Sequence, residues 1–66
     1  MKITRSEFER EMQSLIDAAK YASCKDTAKR FLTQAENKIY GYDNIPSSLQ
    51  QEYLKKIRDA ERSLGL

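Results

Sequence analysis

Between Thr4 and Tyr40 the chain contains neither glycine nor proline, yet its apolar pattern changes phase in the middle of that stretch. Phe8, Met12, Leu15, Ile16, Ala19 and Ala22 recur at spacings of three and four, which is one face of an α-helix. A second stripe of Cys24, Ala28, Phe31, Ala35, Ile39 and Tyr42 follows, with Leu32 beside it. At ~100° per residue its centre lies roughly 170° around from the first, so one straight helix would bury opposite sides. Two folds satisfy this pattern. In one, the chain breaks near Ser23 to Lys25, Ser23 or Asp26 caps a new helix, and both stripes turn onto one core. In the other, a single helix runs from Arg5 to about Tyr40 and its halves bury against different neighbours.

The ends of the pattern are clearer. Thr4 and Glu7 have the spacing of a capping box, with Ile3 and Phe8 at the two positions of a hydrophobic staple. These signals start a helix at Arg5. The segment from Gly41 to Ser48 holds the only proline and one of two glycines, so the helical pattern stops there. Gly41 fits a left-handed position after a helix, and Pro46 keeps Ile45 extended. Ser47 with Gln50, or Ser48 with Gln51, offers another capping box. Leu49, Tyr53, Ile57, Ala60 and Leu64 then form an amphipathic helix, with Leu54 on the flank and Gly65 able to close its end. Glu52 with Lys56 and Lys55 with Asp59 are spaced for i,i+4 ion pairs. The reading is an all-α single domain over 1–66: a helical hairpin or three-helix bundle with helices at 5–22, 26–40 and 48–64, or with the first two joined as one long helix.

Size adds a constraint. A 66-residue chain buries only about 60% of the surface that its unfolded form exposes, and such chains commonly rely on disulfides, a metal or a partner. One cysteine and no histidine leave the partner. We therefore expect a homo-oligomer, with a dimer favoured. Phe8, Met12, Leu15, Ile16 and Ala19 are the expected shared surface, joined by Tyr21 and Tyr42 as aromatic contacts. Phe31, Ala35, Ile39, Tyr53, Ile57 and Leu64 are left as the intramolecular core.

Few chemistries fit the inventory. Without histidine the commonest general acid-base group is missing. Cys24 has Lys20 and Lys25 near it in sequence but sits on the second apolar stripe, where a buried thiol is expected. Glu7 and Glu11 are one turn apart without a Glu-x-x-His motif, and the two glycines are too far apart for a phosphate loop. No catalytic, metal or cofactor site is expected. With 33% charged residues of both signs and a net charge of +2, the composition is that of a soluble protein, and the lone thiol favours a reducing cytoplasm. No apolar run reaches the ~18 residues of a membrane span. Lys20, Lys25, Lys29 and Arg30 form the densest basic stretch, and Lys55, Lys56, Arg58 and Arg62 a second. The alternative function is thus a small nucleic-acid-associated regulator using Lys25, Lys29 and Arg30.

Asn37-Lys38-Ile39-Tyr40, followed after a gap by Ile45-Pro46-Ser47-Ser48, resembles the C-terminal region of the Hha/YmoA family. Those proteins are small helical modulators that bind a nucleoid-structuring protein. The resemblance covers eight of 66 residues, with a longer gap and a full helix following where the family chain ends. In size and plan the chain also resembles small accessory proteins of lambdoid phages and prophages, which implies an adaptor acting on a host or phage protein. Neither resemblance carries a site residue.

Overall fold

The computed structural model describes residues 2–66. Three helices run in sequence, α1 over Arg5–Lys20, α2 over Lys25–Gly41 and α3 over Ser47–Leu64, each packed on the other two. No strand occurs among the described residues. The short turns make successive helices antiparallel, so the molecule is an elongated three-helix bundle measuring 32 × 16 × 16 Å.

The phase jump is resolved by a break. The α1 helix stops two residues earlier than its apolar pattern, at Lys20, and Tyr21 ends it with its amide still bonded to the Asp17 carbonyl at 3.1 Å. Cys24 is extended at φ −142°, ψ 159°, and the chain re-enters helix at Lys25. No residue in the turn forces this. Turning back lets Ala28, Leu32, Ala35 and Ile39 share one core with Phe8, Met12, Ile16 and Ala19. Continuing straight would leave one of those stripes in water, at about 25 cal/mol for each Å² of apolar surface. Neither Ser23 nor Asp26 is the cap: Cys24 holds that place, with no side-chain capping bond to a backbone amide of the helix.

At the start of α1, Thr4 Oγ1 accepts from the Glu7 amide at 3.2 Å and donates to Glu7 Oε1 at 2.8 Å. The capping pair forms, with the carboxylate returning to the hydroxyl. Ile3 packs beside the core as the staple requires. The start of α3 differs from expectation. Pro46, at φ −60° and ψ 146°, is the residue before the first turn, so Ser47 is already helical and no serine side chain caps. Proline's fixed φ sets the entry geometry in its place. Gly41 is the last helical residue rather than a left-handed one, and the only positive φ among the described residues is Gly65 at 74°. There Gly65 N donates to Arg62 O at 3.2 Å and Leu66 N to Glu61 O at 2.8 Å, the paired bonds of a Schellman ending.

Of two adjacent residues on α2, Leu32 is buried while Phe31 is half-buried; Leu64 is also half-buried. Two ring contacts centre on Phe8. Phe8 meets Tyr53 edge-on at 5.5 Å between centroids and Tyr42 at 6.1 Å. Ile45 in the α2–α3 connection and Leu49, Leu54, Ile57 and Ala60 on α3 complete it.

Candidate interaction surface

The core accounts for most of the surface expected to face a partner. Phe8, Met12 and Ala19 are fully buried and Ile16 is 2% exposed, all within the protomer. They cannot be a shared surface, because α2 and α3 already cover them. The reason is the break before α2: it supplies inside one chain the partner that the first stripe needs. Of the expected contact residues, Leu15 and Tyr42 remain half-exposed and Tyr21 is 88% exposed.

Leu15 and Tyr42 lie along the seam between α1 and α2. Ala18 and Ala22 on the α1 side and Phe31 on α2 are half-buried neighbours in the same stripe pattern, so the seam shows a thin apolar band. Tyr21, at the end of α1, projects away from the core beside it. At the other end the seam is polar. Tyr42 Oη donates to both oxygens of Glu11, at 3.2 and 3.1 Å, and Lys38 Nζ forms an ion pair with the same carboxylate. The Lys38 ammonium is pushed above the usual lysine value because Glu11 accepts its hydrogen bond and faces it with opposite charge. Partial burial and then the Glu11 carboxylate raise the Tyr42 hydroxyl. Glu11 is thus committed to two partners. Its role could not be seen in sequence, because Lys38 and Tyr42 are 27 and 31 positions away.

The seam is a shallow, open depression bounded by Glu7, Arg10, Glu11, Ser14, Leu15 and Lys38. The one thiol, Cys24, is exposed rather than buried, at the turn into α2. Its pKa is lowered by Thr27, whose hydroxyl lies 3.0 Å from Sγ and whose amide adds to the effect. No cluster of three or more histidine, cysteine, aspartate or glutamate side chains positioned to hold a metal occurs among the described residues.

The basic residues singled out in the sequence, Lys25, Lys29 and Arg30, are all exposed on the first two turns of α2. Lys25 Nζ lies 3.5 Å from where a Cβ on Gly65 would stand, so the start of α2 abuts the end of α3. Lys56 belongs elsewhere: its Nζ sits 4.6 Å over the Tyr53 ring and 3.9 Å from Glu52.

No helix of the described residues is long and apolar enough to cross a membrane. Compared with family models, curated proteins and solved structures, the chain matches none.

Proposed function

We propose that this chain is a non-enzymatic helical module that works by protein–protein contact in the cytoplasm, as a regulatory or accessory adaptor of the kind encoded by lambdoid phages. Its contact face is the α1–α2 seam, and its first partner is a second copy of itself. The observation that carries this reading is the fully projecting Tyr21 beside the half-buried band of Leu15, Ala18, Ala22 and Phe31. A projecting tyrosine gives a rigid apolar body with a polar tip, the residue type enriched where protein contacts concentrate their energy. The outward stripe of α1, which borders the seam through Glu7, Arg10 and Ser14, is also self-complementary. Glu7, Arg10, Ser14, Asp17 and Tyr21 share one face at spacings of three and four, with Arg10 and Asp17 nearly equidistant from Ser14. Two such helices crossing antiparallel at Ser14 set Arg10 against Asp17 twice. The pairs steer register more than they add affinity.

Self-association is then a property of a folded protomer, not a condition of folding. Sedimentation velocity from about 5 to 200 μM, together with Leu15→Glu and Tyr21→Ala, tests it, since contacts of this small size are weak. The expected outcome is a concentration-dependent dimer for the wild type and a folded monomer for both variants. A wild type that stays monomeric over that range, or variants that dimerise unchanged, overturns the reading.

A further inference from the structure

We infer a second, independent surface: the half of the α2–α3 face around Lys29 and Arg58 binds the phosphate backbone of a nucleic-acid duplex without reading its sequence. The flank of α2 that carries Lys38 faces α1 through Glu11, so the opposite flank, carrying Lys25 and Lys29, faces α3. On α3 the flank with Lys56, Asp59 and Ser63 borders α1 across a depression that also includes Gln13 and Lys20. Arg58 therefore lies on the side toward α2, with Lys55 and Arg62 on the outer face next to it. Antiparallel packing brings the start of α2 level with the end of α3, as the Lys25 approach to Gly65 shows. Two basic stretches 25 or more positions apart in sequence thus become one patch with Arg30.

The charge is concentrated. Six of the chain's 12 cations lie in this patch with four of its 10 acids, Asp26, Glu36, Asp59 and Glu61, a formal local charge of +2 that equals the net charge of the chain. The other six cations and six acids leave the remainder neutral. All six cations are exposed, and none makes an ion pair among the described residues, where the pairs are Arg5–Glu9, Lys38–Glu11 and Lys56–Glu52. Lys55 and Asp59, which share the i,i+4 spacing, do not pair. These cations are free to neutralise another molecule.

The arrangement fits a duplex better than other polyanions. Lys55 to Arg62 spans roughly 10 Å along α3, and packed helices lie about 8 to 10 Å apart, so the charges form a two-dimensional array. A duplex strand carries a phosphate every ~3.4 Å along its axis, so several fall within this span. Single strands are held on stacking platforms, and the exposed aromatic of α2, Tyr40, stands about three turns beyond Lys29. An acidic helix would need an apolar groove, whereas Leu54, which closes this seam, is 5% exposed.

Fluorescence polarisation with 20-base-pair DNA duplexes of two unrelated sequences, and a matching RNA duplex, tests the proposal. The wild type should bind both DNA sequences equally, and log affinity should fall against log salt with a slope of about −3 to −4, as three or four phosphate contacts require. Lys29→Glu with Arg58→Glu should weaken binding at least 10-fold and flatten the slope. Lys2→Glu with Arg5→Glu makes the same change in net charge at the start of α1 and should cost less than 3-fold. Lys29→Gln with Arg58→Gln should show the same loss at smaller size. Far-UV circular dichroism checks that each variant is helical. The RNA arm sets the kind of duplex: equal binding indicates backbone recognition alone, and a preference for either indicates its groove shape. No duplex binding at about 20 mM salt, equal losses from the two charge-reversed variants, or saturation by an acidic helical peptide in place of the duplexes each overturns the proposal. A monomeric wild type would remove the α1–α2 reading and leave this one standing.

Discussion

Asn44 holds Ile3 by both of its backbone groups. The Ile3 amide donates to Asn44 Oδ1 at 3.1 Å, and Asn44 Nδ2 donates to the Ile3 carbonyl at 2.7 Å. One side chain in the α2–α3 connection thereby ties down the segment leading into α1, next to the Thr4 cap and the Ile3 staple. Replacing Asn44 with alanine breaks both bonds. Each is solvent-exposed, so we expect a loss of only about 1 kcal/mol in total, or roughly 4 to 8 °C in Tm for a chain of this size. The specific signature is faster hydrogen exchange at the Ile3 amide, while the amides in the middle of α1 change no more than global stability dictates. An unaltered Ile3 rate in Asn44→Ala would show that the bonds contribute nothing in solution.

The alkaline limit of stability should be set partly where α1 meets α2. Lys38, Tyr42 and Tyr53 all have pKa values raised in the folded state, the first by Glu11 and both tyrosines mainly by burial. A raised folded-state pKa means that the native form keeps its proton longer than the unfolded chain. The stabilisation is therefore complete below the ordinary values of 10.0 for tyrosine and 10.5 for lysine, and is lost as pH rises through the higher folded-state values. Thermal melts between about pH 8 and 11 should show Tm falling steeply only above about pH 10. Tyr42→Phe cannot titrate, so its alkaline fall should be shallower although its Tm at neutral pH is lower. Parallel curves for the two proteins would exclude Tyr42 from the effect.

The two glycines should respond with opposite signs. Gly41 is helical, and an added Cβ there meets nothing within 4 Å, so Gly41→Ala should stabilise by up to about 1 kcal/mol. Gly65 is left-handed at φ 74°, and alanine in that region costs about 1 to 2 kcal/mol, moderated here by fraying at the helix end. Urea midpoints of the two variants are the comparison. A destabilised Gly41→Ala would mean that the end of α2 relaxes into the left-handed geometry in solution.

Much of this architecture was legible in local pattern. Thr4, Glu7 and Phe8 mark the start of α1 by spacing alone, and the stripe from Leu49 to Leu64 marks α3. The turn between α1 and α2 was legible only as an ambiguity, because Ser23 and Cys24 carry no strong breaking signal. Core burial decides it, and that is a property of three helices together. The same cause moved Phe8, Met12, Ile16 and Ala19 from the expected outside to the inside. Smaller differences come from competing local effects. Pro46 sets the entry to α3 so that Ser47 falls within the helix, and Leu32 takes the inward position that its neighbour Phe31 also fits by spacing. The Glu11–Lys38–Tyr42 contacts and the basic α2–α3 patch join residues from different helices, so no window along the chain contained them.

The edge contacts around Phe8 also give the molecule an optical signal of its own. The chain has no tryptophan, and its four tyrosines divide evenly: Tyr21 and Tyr40 project into water, while Tyr53 is buried and Tyr42 half-buried against Phe8. Near-ultraviolet dichroism, which needs rings held in a fixed asymmetric setting, should therefore come from Tyr42 and Tyr53 and vanish when the helices separate. Emission should rise at the same moment, because Tyr42 leaves the carboxylate that quenches it. Tyr21 and Tyr40 remain as a steady background, and Tyr21 alone should respond when another molecule covers the end of α1.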